Sequence, residues 1–232
     1  MVVANPETLN ATLHYTLIRH ILDHGYAPDT QELSRILDLP EEATVSALKR
    51  LAEDHGVVLH PQQPDIWAIH PFSLAPTAFW VRSGDRAWWG NCGWCSLGIA
   101  ALVAEDVTIS TSFGAEGRPV DLHIRSGRMI EDNYLIHFPV PMRKCWDNVV
   151  YACSNMLIFE NEAAVDAWCR RHRMPKGDIQ PLSQFWEFAK EWYGKHLDPH
   201  WRKWTSEEAR ALFHRHGLGG DTWEIPSSKG RF

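Results

Sequence analysis

Trp88-Trp89-Gly90-Asn91-Cys92-Gly93-Trp94-Cys95-Ser96 runs straight into the apolar segment Leu97-Gly98-Ile99-Ala100-Ala101-Leu102-Val103, and the rest of the chain is read outward from there. Two thiols two residues apart can share one soft metal ion, close a disulfide, or act as nucleophile and partner. A structural zinc usually takes a second such pair, or two histidines at set spacing, and the chain has no second Cys-x-x-Cys. A thioredoxin-like pair needs a buried strand before it and a helix after it. The apolar run supplies a helix, predicted from about Cys95 to Ala104, but no strand of convincing length leads in. The tryptophans and the glycine around the thiols point to a shaped, partly dry pocket. The competing reading is a pair of buried cysteines acting as small hydrophobes.

The 232 residues suffice for one large domain or two small ones, and a hydrophobic content of 44% provides a core. Eight of the twelve tryptophans cluster in two places: Trp88, Trp89 and Trp94 flank the thiols, and Trp186, Trp192, Trp201, Trp204 and Trp223 crowd the C-terminal quarter. Aromatic walls of that density suit a core or a water-excluding site. A net charge of −6 argues against nucleic acid as a partner. No stretch approaches 18 apolar residues and no basic start or apolar leader opens the chain, so neither a membrane partner nor a secretory route is expected. Five cysteines (92, 95, 145, 153 and 169) without a leader suggest free thiols in a reducing cytoplasm.

The first 70 residues read as three helices and a hairpin. Leu9, Leu13, Leu17 and Ile21 make one helical stripe; Leu33, Ile36 and Leu37 face inward on a second helix; Val45, Leu48, Leu51 and Ala52 form a third. Strands at 57–60 and 66–69 follow, joined by a Pro-rich turn. This is a winged-helix-like pattern. DNA binding is opposed by charge, because residues 1–70 hold four Lys/Arg against ten Asp/Glu. Phosphate contact supplies most of the affinity in such complexes, and acidic residues work against it. The module is expected to pack on the rest of the chain or, as a homodimer, on a second copy.

Residues 71–76 read as a linker, giving a predicted division into a 1–76 module and a 77–232 core domain. In the core, strands are expected on either side of Ser83-Gly84-Asp85, at 107–112, 119–125, 134–140 and 156–159. Helices are expected around 146–153, 162–171 and 182–193. Thr205-Ser206-Glu207-Glu208 is a capping box for a last helix through His214, and the tail after Ile225 is polar. The fold class is therefore α+β: a winged-helix-like module, then a mixed α/β core with short strands and C-terminal helices.

From Trp94 onward the chain resembles the organomercurial (alkylmercury) lyases, which cleave carbon–mercury bonds. The resemblance rests on Trp94-Cys95-Ser96-Leu97 opening an apolar helix and on the strand step Glu116-Gly117-Arg118-Pro119-Val120-Asp121-Leu122. It rests also on Asp147-Asn148-Val149-Val150-Tyr151-Ala152-Cys153, followed by Phe159 and Asp166-Ala167-Trp168. It covers roughly residues 30–190, and it implies an N-terminal winged-helix-like module that does not read DNA. It also implies catalysis and mercury ligation by Cys95 and Cys153, with a small-molecule substrate and no cofactor.

Mercury(II) is soft and prefers thiolates. In the family an Asp, fourth when the first Cys is counted as one, handles the proton. The matching position is Gly98, so capture is kept and proton delivery is in question. An acid installed at 98 is expected to help if the helix tolerates its bulk. Cys92 is an additional thiol, a candidate proton donor or third metal ligand. The alternatives are a non-catalytic thiol binder of mercury, copper or a related soft metal, and a relative acting on another small molecule.

Other candidates weigh less. Asp147 lies six residues before Cys153 and would point away from it on a regular helix, so it is read as orienting the helix start. Cys145 and Cys169, each beside a tryptophan, read as core. His196, His200, His214 and His216 suggest a metal tract but read better as solvated side chains. Ser96 has no histidine at a readable spacing to make it a nucleophile.

Overall fold

The computed structural model describes residues 6–225; the expected polar tail after Ile225 lies outside them. The chain opens with α1 (Pro6–His24), α2 (Thr30–Leu37) and α3 (Glu41–Glu53). Leu13, Leu17, Ile18 and Ile21 form the buried stripe of α1, and Leu48 and Leu51 that of α3. Asp29 caps α2 by accepting the Glu32 N–H at 2.7 Å. One expectation fails on α2, where Ile36 is exposed and Leu33 alone is fully buried. Eight residues make barely two turns, leaving room for only a narrow inward stripe.

The hairpin of β1 (Val58–Leu59) and β2 (Ile66–Ile69) forms as expected, but it is not a free wing. β2 also pairs with β3 (Phe72–Ser73), which pairs in turn with β5 (Arg86–Gly90). The segment read as a linker is therefore a strand, and the main sheet crosses position 76 without a break. Phe72 explains the misreading: it is fully buried, and the core claims it despite the flanking prolines. With β4 (Trp80–Ser83), β6 (Val107–Ser112), β7 (Pro119–Arg125) and β8 (Arg128–Met129), the antiparallel sheet has the order β1-β2-β3-β5-β4-β6-β7-β8. Val107, Ile109 and Thr111 of β6 face inward in strict alternation. β8 had no sequence signal beyond its turn.

A smaller antiparallel sheet has β9 (Leu135–Phe138) between β10 (Leu157–Phe159) and β11 (Asp178–Pro181). The helix α4 (Gly93–Val103) lies between the large sheet and α8 (Leu182–Tyr193). It is apolar all round, as a helix covered on every side must be. The helix expected at 146–153 is two short pieces, α5 (Met142–Cys145) and α6 (Val149–Ser154). The break comes at Asn148, whose side chain caps α6 through the Tyr151 N–H at 3.0 Å. Asp147 is exposed and does not cap the helix. α7 (Glu162–His172) and α9 (Ser206–Arg215) complete the fold, and Thr205 and Glu208 form the expected capping box on α9. Among the described residues, no helix is long and apolar enough to cross a membrane. The architecture is mixed α+β.

Candidate functional site

The thiol helix begins earlier than its apolar run suggests. Cys92 is the N-cap of α4, in extended conformation, and its Sγ accepts the Cys95 N–H at 3.3 Å. Cys95 therefore sits one turn inside the helix rather than opening it. Gly93 donates its N–H to the Met156 carbonyl at 3.0 Å, and a Cβ at position 93 would stand 3.0 Å from that same oxygen. Glycine lets the tip of α4 come this close to the chain leaving α6; a Cβ there would make the contact tight. This approach carries Cys92 and Cys95 to Cys153.

The sulfurs of Cys95 and Cys153 and a ring nitrogen of His70 lie within 4.8 Å of one another. Cys153 Sγ is 3.6 Å from His70 Nε2, and Cys95 Sγ is 3.5 Å from the Tyr193 hydroxyl. The Asn91 amide donates to His70 Nε2 at 2.9 Å, so that nitrogen carries the lone pair. Cys92 interacts through its side chain with both Cys95 and Cys153. All three thiols are buried, and they line a cavity of about 60 Å³ with walls that include Trp94, Trp146, Trp192, Trp201 and Trp204.

Three thiols so close together cannot all ionise. Burial works against a thiolate at Cys95, but the side chains of Cys153 and Cys92, the nearby His70 and the Tyr193 hydroxyl together pull it well below the usual thiol range. Burial pushes Cys92 well up. Cys153 is held well up by its hydrogen bonds to Cys92 and Cys95 and by burial. Of the three thiols, Cys95 is thus the one whose ionised form the surroundings favour. Burial lowers the pKa of His70, and it lowers Lys203, which lines the same cavity, to about 7.

Position 98 does not offer the space an acid would need. A Cβ on Gly98 would stand 2.4–2.8 Å from Cδ2, Cε2 and Cγ of the Tyr193 ring. Tyr193 is itself buried and fills the room beside the helix. The condition set for an acid there, a helix that tolerates its bulk, therefore requires the Tyr193 ring to move. Among the described residues, no Asp or Glu lines the thiol cavity.

The structure brings together the three cysteines expected from the sequence and sets beside them residues the sequence did not signal. His70 was passed over next to a supposed linker, and Tyr193 was read only as part of a helical stripe. Lys203 sits between two tryptophans, a context that now reads as a cavity wall. His196 is buried, not solvated, and stacks on Trp201 with ring centroids 3.7 Å apart. His200 and His214 are exposed as expected, and His216 pairs with Glu191 at 2.6 Å. Cys145 and Cys169 are buried; Cys145 also borders the cavity, and Cys169 Sγ lies 3.7 Å from His137 Nε2. Ser96 hydrogen-bonds the Gly93 carbonyl at 2.7 Å, which commits its hydroxyl to the helix.

The family model described as alkylmercury lyase matches residues 72–194, just over half of the chain. The chain belongs to the alkylmercury lyase family. The matched segment holds Cys92, Cys95, Cys153 and Tyr193, whereas His70 and Lys203 fall outside it. The structure is similar to the crystal structure of the mercury-bound form of MerB2, with a TM-score of 0.63 and 19% identity, over 83% of this chain and 98% of that one. At that identity the likeness concerns the fold. None of the curated proteins matches.

Proposed function

We propose that the protein is an alkylmercury lyase-like enzyme that captures an organomercurial on Cys95 and cleaves its carbon–mercury bond with help from Cys153. The observation that carries this reading is the convergence of Cys95, Cys153 and His70 within 4.8 Å in a buried, aromatic-walled cavity. The Cys95 thiolate displaces the ligand X from R–Hg–X and forms the first sulfur–mercury bond. Cys153 then forms the second bond and gives up its thiol proton. The carbon–mercury bond breaks with its electron pair moving to carbon, and that proton completes R–H. Mercury(II) is left on two sulfurs. Cys92 remains the third thiol, in reach of both, able to pass the proton or to add a third bond to the metal.

Tyr193 in the space beside Gly98 and the absence of a carboxylate from the described cavity wall favour a second reading, a thiol binder that keeps a soft metal without cleaving its bond. The two readings separate when the reduced protein is incubated with methylmercury while methane in the headspace and mercury on the protein are followed together. Methane formation supports the lyase; mercury retained with no methane supports the binder. A cytoplasmic location and an N-terminal segment that does not read DNA belong to the same reading, supported by the free thiols and the acidic balance of residues 1–70.

A further inference from the structure

We propose that Cys92, Cys95, Cys153 and His70 together hold one zinc ion, as a closed site of three thiolates and one imidazole. The proposal goes beyond the lyase reading and does not depend on it, because it concerns the protein before any mercury compound arrives. Two of the four ligands are particular to this chain. His70 lies outside the segment that matches the family, and Cys92 is a thiol that the resemblance does not call for.

Structural zinc is tetrahedral and takes thiolates and imidazoles, three of the one with one of the other among its usual sets. The second Cys-x-x-Cys that the sequence lacks has its equivalent in space, in Cys153 and His70, 83 residues apart. Zinc–sulfur bonds of about 2.3 Å and zinc–nitrogen bonds of about 2.1 Å put sulfur and nitrogen about 3.6 Å apart on a tetrahedron, and two sulfurs about 3.8 Å apart. Cys153 Sγ is 3.6 Å from His70 Nε2, and the Cys95 sulfur completes a trio within 4.8 Å. Cys92, outside that trio, interacts through its side chain with both of its sulfurs.

The surroundings suit ligation. The Asn91 amide donates to His70 Nε2 at 2.9 Å, so a lone pair rather than an N–H faces the thiols, and the amide has only to turn aside for an ion to take its place. Cys92 Sγ accepts the Cys95 N–H at 3.3 Å, a bond that a metal-bound thiolate keeps and that aims the sulfur. Both cysteines stand at the N-terminal end of α4, where the peptide dipoles favour thiolates. Three buried thiolates repel one another, and a divalent cation among them offsets that repulsion. Among the described residues no carboxylate lines the cavity, so magnesium and calcium meet no carboxylate ligand there.

The test uses the full chain, reduced and stripped of metal, titrated with zinc against the chromophoric chelator pyridylazoresorcinol, and separately with cobalt(II) as a spectroscopic probe. One zinc per chain should resist the chelator. Cobalt should give the intense visible bands of a tetrahedral ion together with thiolate-to-cobalt charge transfer. His70→Ala and Cys92→Ser should each weaken zinc binding by more than the roughly 10–100-fold that loss of a merely supporting contact costs. Cys92→Ser should also remove about a third of the charge-transfer intensity, one sulfur of three, whereas His70→Ala should keep that intensity and shift the visible bands. Cys169→Ser should bind zinc as the wild type does. Loss of wild-type zinc to the chelator overturns the proposal, and so does unchanged affinity in either His70→Ala or Cys92→Ser. A wild-type cobalt spectrum without tetrahedral intensity overturns it as well, even where a variant fails to fold. No mercury compound takes part, so hydrocarbon release, measured separately, decides the lyase reading whichever way the zinc result falls.

Discussion

The Tyr193 ring lies where a side chain on Gly98 would have to go, and its hydroxyl reaches to 3.5 Å from Cys95 Sγ. One residue thus both closes the space beside α4 and supports the thiolate. Replacing Gly98 by Asp therefore forces a buried carboxylate into an occupied site. Overpacking costs about 1–3 kcal/mol, and an unpaired buried polar group adds a similar amount. The denaturation midpoint of Gly98→Asp should fall accordingly, and pairing it with Tyr193→Ala should recover part of the loss. A Gly98→Asp protein as stable as the wild type, with faster hydrocarbon release, would show that the Tyr193 ring yields freely.

Cys95→Ser and Cys153→Ser should each reduce carbon–mercury cleavage by at least the roughly 10²–10⁴-fold that proton transfer alone supplies. A serine hydroxyl is a poor ligand for a soft ion, so mercury should also pass readily to added dithiothreitol. Single-turnover release and metal retention measured on each variant check both effects. If either variant turns over at the wild-type rate, that sulfur is not a ligand in the reaction.

Much of this site could be read in the chain, and the reasons differ by residue. Cys92, Cys95 and Cys153 were legible because thiols are rare and chemically distinctive. The alternation of β6 and the capping box at Thr205 were legible because both are local patterns. The early start of α4 was not, because nothing around Cys92 signals a cap until its sulfur is seen accepting a backbone N–H. Phe72 looked like part of a proline-bounded linker because its partners, Ile69 and Gly90, come from two different strands. His70, Tyr193 and Lys203 meet the thiols only through tertiary folding, across sequence gaps that carry no pattern.

Lys203 gives the protein a pH signature. Burial lowers it from its ordinary 10.5 to about 7. Between those values the unfolded chain holds a proton that the folded chain has released, so this group makes stability rise with pH across that window. Urea midpoints measured from pH 7 to 10 should climb more steeply for the wild type than for Lys203→Met. Parallel curves would mean that Lys203 titrates normally. The thiols are present in both proteins, so the difference between the curves isolates the lysine.

His14 acts at the other end of the scale. Burial first, then the charges of Lys203 and His70, lower it to about 3. From pH 6.5 down to that value the unfolded chain takes up a proton that the folded chain refuses, so stability falls as the medium is acidified. Between pH 6.5 and 4.5 the wild type should lose about 2–3 kcal/mol more than His14→Gln, from 1.36 kcal/mol per pH unit. Chemical denaturation at the two pH values tests this, and equal losses would place His14 in contact with solvent.

The central claim is tested most directly by a single turnover of the reduced protein with one equivalent of phenylmercury, followed by intact-mass measurement and gas chromatography of the same sample. The account predicts benzene in step with a protein mass raised by bare mercury, both absent in Cys95→Ser. A stable protein whose mass is raised by the whole phenylmercury group, with no benzene formed, would contradict it.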